Sequence, residues 1–435
     1  MEHPLKRIVY LQDRDIPAGI CSICSANRYV IEAAMDRALH RNAFLLVEAT
    51  ANQVNQYGGY TGMRPMDFRN FIADIAASNN FPQDMLILGG DHIGPLVWKD
   101  DTAAAAMAKS CELVRELINA GFTKIHVDTS MGLAGDGDKR PPSGIIAERA
   151  AIICKAAEDE FRAYKVDHPD AAAPVYVIGS EVPVPGGSPE HEAGVSITSA
   201  GDFEETLASY KEAFENTGIG DCRDNVIAVV VQPGVEFGSD FILEYDHDAA
   251  ANLVKSLRMH KGLVFEGHST DYQRPGSLKR MVEDGIAILK VGPALTFALR
   301  EALFALNMIE EKMFGSSGAI SLSCFSAVLE NAMLSRPAYW NNYYTGSKEQ
   351  TALDRMFSFS DRCRYYLPSP EVSESVQRLV ANLRTQKIPL TLLSQYMPIQ
   401  YGRVRSHQLK NDPEALIRDK IGEVLENYYS AASPA

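Results

Sequence analysis

The sequence predicts a (β/α)8 barrel followed by a helical C-terminal extension, and three observations support that prediction. Eight apolar runs alternate with helical segments, each run ends in a polar or glycine-rich turn, and about a third of the chain lies beyond the eighth run. Alternating strands and helices are typical of a parallel sheet. Eight such units are the number that closes a barrel, whose chemistry lies at the C-terminal ends of the strands.

The apolar runs have the lengths of buried strands. In chain order they are Gly19–Ile23, Phe44–Thr50, Met85–His92, Lys124–Ser130, Val175–Pro183, Val226–Pro233, Leu263–Ser269 and Gly285–Gly292. Their spacing is mostly about 40–50 residues, longer than a minimal barrel requires, so we expect elaborated loops after the strands.

Apolar residues at helical spacing fill the segments between these runs. Phe68, Ile72 and Ile75, for example, repeat on one helical face shortly after Pro65. Beyond the eighth run, apolar spacing at 376–383 and 415–425 is again helical. We therefore expect a barrel over residues 1–314 and a helical subdomain over residues 315–435 that packs on it.

Composition restricts the classes of partner and compartment. The net charge of −14 disfavours nucleic acid as a partner, because such proteins usually carry the opposite balance. No apolar stretch approaches the roughly 20 residues that span a bilayer, and the first residues do not resemble a signal peptide. Seven cysteines in a long chain argue against a disulfide framework. We expect a cytoplasmic protein without a membrane or nucleic-acid partner.

Polar side chains follow four of the predicted strands. Asp91 and His92 end the third run, Glu181 lies near the end of the fifth, Gln232 near that of the sixth and His268 near that of the seventh. Because barrel strands end at one common mouth, we expect these groups to converge. The set His92, His268, Glu181 and Gln232 suits a divalent cation such as zinc, and Asp91 and Glu181 are candidate catalytic acid/base groups. The alternative is that each is a hydrogen-bonded loop residue.

A further polar set is predicted to bind a polyhydroxylated ligand. Glu48, Asn52 and Gln53 crowd the exit of the second run beside a glycine turn, although such a turn can also satisfy its own backbone. Asp128 ends the fourth strand and could contact a sugar hydroxyl or orient a ligand histidine. Lys290 ends the eighth strand and could meet a phosphate or carboxylate, or serve as a Schiff-base lysine.

Two other observations limit the chemistry. His126 lies deeper in the fourth strand than Asp128, and we expect it to be a hydrogen-bonded core residue. The chain has no G-x-x-x-x-G-K-[ST] motif, so a nucleotide-dependent kinase would lack the usual phosphate cradle of a P-loop.

Eight ordered motifs resemble one known family. They are CSICSAN, VEATANQVNQYGGYTGM, LGGDHIGP, IHVDTSM, VIGSEVPVPGG, VVVQPGVEF, EGHSTDYQ and LKVGPALTFALREALFAL. From about Ile20 to the C-terminus the chain resembles the non-catalytic subunit of bacterial class II D-tagatose-1,6-bisphosphate aldolase. The resemblance implies a barrel and a role in galactitol or N-acetylgalactosamine breakdown. It also implies a separate catalytic aldolase subunit as partner.

The same resemblance extends to the zinc-dependent class II aldolases and implies roles for single residues. It places the catalytic acid/base at Asp91 and two zinc histidines at His92 and His268. The third zinc histidine falls where this chain has Gln232, whose amide oxygen is a poorer zinc ligand. The glycine-rich phosphate loop after the seventh strand is replaced by Ser269–Gln273. Both departures imply little aldol cleavage by the chain alone.

Two other functions use the same residues. A stand-alone metal-dependent enzyme could epimerise or cleave a phosphorylated or free ketohexose with Asp91, Glu181 and the metal histidines. Some family members carry the label tagatose-6-phosphate kinase, which the missing P-loop does not support.

Overall fold

Eight parallel strands close into a barrel, which confirms the predicted fold class. The computed structural model describes residues 2–136, 140–179, 195–316, 318 and 320–433. The barrel strands are β1 Ile20–Cys24, β2 Leu45–Thr50, β3 Leu86–Ile93, β4 Lys124–Val127, β5 Val175–Ile178, β6 Val226–Val231, β9 Val264–Gly267 and β10 Ile286–Val291. Around the barrel, each strand pairs with the next in the order β1-β10-β9-β6-β5-β4-β3-β2.

Helices connect consecutive barrel strands, as the alternating sequence pattern predicts. Those of the barrel region are α1 Pro4–Gln12, α2 Arg28–Arg41, α3 Pro65–Ser78, α4 Ala103–Asn119, α5 Ser143–Asp167, α6 Ala200–Asn216, α7 His247–Leu257, α8 Pro275–Glu283 and α9 Pro293–Phe314. A short antiparallel hairpin, β7 Glu236–Phe237 and β8 Ile242–Leu243, follows β6 and was not predicted.

The inner apolar core closes the N-terminal end of the barrel. Leu46 of β2, Val264 of β9 and Ile288 of β10 belong to one buried cluster with Leu5 and Val9 of α1. Alternate strand residues point into a barrel, so residues two positions further along the same strands face the interior closer to the mouth. At that level the chain has ionisable side chains instead of apolar ones. The apolar end supports the fold, and the polar end carries the candidate site.

The C-terminal region is helical, as expected. Its helices are α10 Phe325–Ser335, α11 Lys348–Phe357, α12 Pro370–Arg384, α13 Leu390–Tyr396, α14 Pro398–Arg405 and α15 Pro413–Ala432. The last helix, α15, packs against α2, α8, α9 and β1, so it belongs to the outer helical layer of the barrel. The division at residue 315 stays a prediction. Among the described helices, none has both the length and the apolar character needed to cross a membrane.

Candidate metal centre at the barrel mouth

The candidate site is built in layers by residues spaced two apart on the strands. Lys124 and His126 rise along β4, with Asp128 just beyond its end, and Glu266 and His268 rise in the same way from β9. This spacing keeps each set on the inner face of its strand. All five are buried. Local period-two geometry and barrel closure together direct these polar side chains to a common interior.

The lower layer is an ion-pair network without solvent contact. Lys124 Nζ lies 2.8 Å from both carboxylate oxygens of Glu48 and 2.7 Å from Oε2 of Glu266, and all three side chains are 0% exposed. Lys290 Nζ lies 2.9 Å from Glu48 Oε2 and 2.7 Å from Asp91 Oδ1. Buried charges are tolerated when they are paired in this way. Lys290 thus links the lower layer to Asp91 above it.

Three imidazoles and one carboxylate form the upper layer. The ring centroids of His92, His126 and His268 lie 4.8, 4.9 and 5.1 Å apart in pairs. One ligand atom from each ring and one oxygen of Asp91 all lie within 4.8 Å of one another. Tetrahedral zinc ligands at about 2.0–2.2 Å from the metal are themselves roughly 3–4 Å apart. A small contraction would bring these four groups around a single ion.

Carboxylates orient two of the imidazoles. His92 Nδ1 lies 2.9 Å from Oδ2 of Asp128, whose Oδ1 accepts hydrogen bonds from the backbone N–H and the hydroxyl of Ser130 at 3.0 and 2.7 Å. His268 Nε2 lies 3.0 Å from Oε1 of Glu266. A carboxylate behind a histidine is the usual second-layer arrangement of a metal site, since it fixes the tautomer and ring orientation. Asp128 therefore lies where it could orient His92, one of its two predicted uses, and that use stays a prediction.

The surroundings of His126 favour a cation beside its ring. Nε2 lies 3.1 Å from the carbonyl oxygen of Gly179, an acceptor only, so Nε2 carries the proton. Nδ1 accepts from the backbone N–H of His92 at 3.2 Å and lies 2.9 Å from Oδ1 of Asp91. In the neutral ring, the single lone pair of Nδ1 then faces the His92 N–H and the Asp91 oxygen together. A cation that took the place of this N–H donor would interact favourably with both the lone pair and the carboxylate.

Backbone conformation at the end of β3 aims His92 at the centre. His92 has a φ of +48°, a left-handed conformation that a non-glycine residue adopts only when its surroundings compensate. Two residues on, a Cβ atom at Gly94 would lie 1.8 Å from the carbonyl oxygen of Asp128. Only glycine permits this approach, so the turn G-G-D-H-I-G-P positions both the histidine and its orienting carboxylate.

The buried groups carry two more negative than positive charges when the imidazoles are neutral. The ammonium groups are Lys124 and Lys290. The carboxylates are Glu48, Asp91, Asp128 and Glu266. One divalent cation would neutralise these two excess negative charges. Imidazole and carboxylate are among the donors that bind zinc in proteins.

The pKa directions agree with a cation site. Burial raises the pKa of Asp91, but His92 and Lys290 outweigh it and hold the pKa well below its usual range. Burial lowers the pKa of His268 to about 3, so this ring is neutral and its lone pair is available. For His92, burial acts in the lowering direction, but the charges of Asp91 and Asp128 prevail and raise the pKa. A proton and a metal ion would therefore compete for the His92 ring.

Several residues predicted to bind substrate engage other parts of the protein. Glu48 and Lys290 lie in the ion-pair network described above, and their contact with a ligand stays a prediction. Gln53 Oε1 accepts the backbone N–H of Thr50 at 2.9 Å. Asn52 is exposed, and its carbonyl oxygen accepts from the N–H of Tyr60. The turn after β2 thus satisfies much of its own backbone, which was the alternative interpretation.

Two predicted metal ligands stay predictions for different reasons. Gln232 follows β6, but its amide oxygen accepts the backbone N–H groups of Gly234 and Val235 at 2.8 and 3.0 Å. That oxygen, the ligating atom of an amide, is already used to hold the turn. Glu181 lies outside the described residues.

His126 is the member of the histidine cluster that sequence reasoning did not assign to the metal. It is fully buried, as expected, and its two ring nitrogens have partners. Its ring nevertheless lies against the other two histidines. The sequence did contain one indication. His126 lies two residues from both Lys124 and Asp128, so alternation along the strand places all three side chains on the same inward face.

The phosphate position common in barrel proteins holds a carboxylate of the chain itself. That position lies between the loops after the seventh and eighth barrel strands and a helix N-terminus. Asp271, in the loop after β9, accepts from the backbone N–H groups of Gly292 and Ala294 at 3.0 and 2.8 Å, at the start of α9. Burial raises the pKa of Asp271 to about 6, and these N–H groups oppose the rise. Asp271 therefore occupies donors that would otherwise be open to a phosphate.

The fold and the site together define a class of protein: a (β/α)8 barrel with a three-histidine, one-aspartate centre suited to a divalent cation. The family model described as "D-tagatose-1,6-bisphosphate aldolase subunit GatZ/KbaZ-like" matches residues 5–433. The chain belongs to this GatZ/KbaZ-like family.

Individual relatives are similar along almost their whole length. The protein named "D-tagatose-1,6-bisphosphate aldolase subunit GatZ" from Klebsiella pneumoniae is 47% identical over 410 residues, 94% of this chain and 95% of the relative. The Salmonella heidelberg protein of the same name is 44% identical over 430 residues, 99% of each chain. A crystal structure described as a probable tagatose 6 phosphate kinase from Sinorhizobium meliloti has a TM-score of 0.86 and 43% identity, covering 95% of this chain and all of that one.

Proposed function

We propose that the chain is the non-catalytic subunit of a class II D-tagatose-1,6-bisphosphate aldolase. In this role it supports the activity and stability of a separate catalytic subunit in galactitol or N-acetylgalactosamine catabolism in the cytoplasm. The observation that carries the proposal is the end-to-end similarity to proteins named as GatZ subunits of that aldolase. The similarity covers 94% and 99% of this chain and 95% and 99% of these two relatives, so it extends beyond a single shared domain.

Two features of the barrel mouth support a role other than independent bisphosphate cleavage. The amide oxygen of Gln232, which stands where the zinc aldolases have a histidine, is held in a turn. Asp271 occupies the helix N-terminus at which a barrel protein commonly binds phosphate. Both features remove a part that cleavage of a sugar bisphosphate would need.

The donor set nevertheless fits a divalent ion, and zinc fits best. His92, His126, His268 and Asp91 would hold it, since they lie close together and the surrounding buried charge is negative. A bound ion of this kind supplies Lewis-acid polarisation of a carbonyl group. Among the chain's own groups, Lys290 at 2.7 Å keeps Asp91 ionised. Asp91 can serve either as the fourth ligand or, where the three histidines alone hold the ion, as the base that accepts a proton from a hydroxyl of a phosphorylated or free ketohexose.

The decisive experiment measures cleavage of D-tagatose 1,6-bisphosphate by a class II catalytic subunit with and without this chain. We expect the chain alone to show negligible turnover and the mixture to show higher activity and a longer activity half-life on warming. A control mixture with an unrelated barrel protein separates a specific effect from general protein stabilisation. A mixture no more active or durable than the catalytic subunit alone would refute the subunit role.

A second candidate, a stand-alone metal-dependent ketose epimerase or aldolase, is favoured by one observation. The three histidines, Asp91 and Lys290 lie together as the groups of an active site do. A subunit with a purely structural role would not need these groups. Incubation of the zinc-loaded chain alone with ketohexoses and their phosphates, followed by product analysis, tests it. Turnover at ordinary enzymatic rates would favour this candidate, and a product that requires ATP would favour a kinase.

A further inference from the structure

A cavity of about 370 Å³ lies between the end of β1, the loop after β2 and the C-terminal helices. Cys24 at the end of β1 and Gln53 and Thr61 from the loop after β2 contribute to its barrel wall. Arg364 and Gln377 contribute to the opposite wall. Its volume falls within the roughly 300–1,000 Å³ typical of small-molecule sites.

Arg364 brings a positive charge to this cavity with part of its hydrogen-bonding capacity unused. Nη1 donates to the carbonyl oxygens of Ser360 and Asp361 at 2.7 and 3.3 Å, and Nη2 donates to the Tyr365 hydroxyl at 3.3 Å. Within the described part of the chain, Nε has no acceptor and no carboxylate lies within 4.0 Å of the guanidinium. The Nε–Nη2 edge, a fork that matches two oxygens of a phosphate or carboxylate, is therefore available.

The lining around Arg364 favours an anion. Asn27 and Arg28, at the N-terminus of α2, and Ser373, in the first turn of α12, all line the cavity. Helix N-termini carry partial positive charge. In the lining that the structure describes, the carboxylate is Glu414, whose Oε2 is paired with Arg384 at 2.6 Å.

The cavity adjoins the metal centre through Cys24. In the barrel, Cys24 lies in register with Glu48 of β2, one of the partners of Lys290. The Cys24 Sγ atom lies 3.9 Å from the Ser22 hydroxyl, which donates to Oε1 of Glu48 at 2.5 Å. A ligand that extends from Arg364 to Cys24 would thus approach the ion-pair network that supports the metal centre.

We infer that Arg364 binds the anionic group, a phosphate or a carboxylate, of a small polyhydroxylated ligand whose other end lies at the metal centre. The inferred orientation rests on the metal centre proposed above, but not on the subunit role. Asp271 fills the customary phosphate position, so an anionic ligand of this barrel needs another cation, and Arg364 supplies one. The hydroxyl groups of the ligand would meet the amide nitrogen of Gln53, since its amide oxygen and the Thr61 hydroxyl are hydrogen-bonded within the turn after β2.

The test is isothermal titration of the zinc-loaded, full-length chain with D-fructose 6-phosphate, D-galacturonate, D-fructose and inorganic phosphate. We expect one of the two anionic sugars to bind at least about 10-fold more tightly than D-fructose, because a charge-assisted bidentate contact typically contributes that much. The tighter of the two identifies phosphate or carboxylate as the recognised group. Equal affinity for D-fructose and both anionic sugars would overturn the inference, whatever any variant does.

Substitutions then assign the effect to Arg364. We expect Arg364→Gln to abolish the preference for the anionic sugar and Arg364→Lys to retain part of it, since lysine keeps the charge without the planar fork. The matched control is Arg378→Gln, an exposed arginine of α12 outside the cavity lining. A folded Arg364→Gln variant with an undiminished preference would refute the assignment. If that variant does not fold, the wild-type comparison and Arg364→Lys still decide.

The aldolase mixing assay separates this inference from the proposed function. A wild-type chain that binds an anionic sugar but raises neither the activity nor the durability of the aldolase would refute the subunit role and support the anion site. A chain that raises aldolase activity but binds anionic and neutral sugars equally would do the reverse.

Discussion

Replacement of Lys124 by methionine should strongly destabilise the protein. Lys124 is 0% exposed and bridges Glu48 and Glu266, with contacts of 2.7–2.8 Å. Methionine matches much of the lysine stem but carries no charge. In the variant, Lys290 would be the one remaining lysine or arginine paired with these two carboxylates among the described residues, and its ammonium group is 3.9 Å from Glu266. The neutral partners, Ser22 at Glu48 and His268 at Glu266, would stay.

The expected loss follows from the contact geometry. At an effective dielectric constant of about 20, opposite charges about 2.8 Å apart attract by roughly 6 kcal/mol, and desolvation of both groups offsets much of this. Removal of one partner of a buried pair commonly costs about 3–5 kcal/mol, because the remaining charge stays buried. We expect a loss in that range for Lys124→Met.

The assay is urea-induced unfolding at pH 7.5, with free energies of unfolding compared between variants. Lys155→Met is the matched control, because Lys155 and Asp159 form an exposed pair on α5 at 3.7 Å. We expect the control to change stability by less than about 0.5 kcal/mol. Addition of Glu266→Gln to Lys124→Met should recover part of the loss, which a double-mutant cycle measures. A Lys124→Met loss no greater than that of the control would refute the reasoning.

Three further predictions concern the metal, a turn and a pH-dependent group. His126→Ala should lower the zinc retained after dialysis at least about fivefold, because it removes one of four proposed ligands. The control is His40→Ala, which changes an exposed side chain. Unchanged zinc content in His126→Ala would show that His126 is not a ligand. Gly94→Ala should cost about 3 kcal/mol or more in chemical denaturation, since its methyl group would lie 1.8 Å from a backbone carbonyl oxygen, whereas Gly144→Ala, with open space around it, should be nearly neutral. Burial lowers the pKa of His3 from 6.5 to about 4, so the folded state excludes a proton that the unfolded chain binds. This contribution to stability is complete above pH 6.5 and is lost as the pH falls toward 4; at pH 5 the wild type should have lost about 2 kcal/mol that His3→Asn does not lose, and parallel losses would contradict the assignment.

The barrel was predictable because its signals are local. Each strand appears in the sequence as an apolar run closed by a turn, and each helix as apolar residues at helical spacing. Right-handed crossover connections leave few ways to arrange eight such units. Alternation along a strand also places Glu48, Glu266 and Lys290 on inner faces without reference to any distant residue. Strand-end geometry then brings Asp91, His92 and His268 to one mouth.

Site details that depend on contacts between distant segments were not predictable in this way. Sequence reasoning treated His126 as a core residue, because its spacing indicates depth in the barrel but not how close the rings of His92 and His268 lie. Which strand neighbours are bridged by Lys124 depends on the tilt and stagger of the closed barrel.

The sequence by itself therefore determined the barrel, the inner faces of its strands and the polar mouth, since neighbouring residues in the chain set all three. Only the tertiary structure decided that Asp271 caps α9 in place of a phosphate, and that Arg364 reaches a cavity beside β1 from more than 300 positions away in the chain. Both facts depend on how the chain closes on itself, and no local pattern of residue types records that closure.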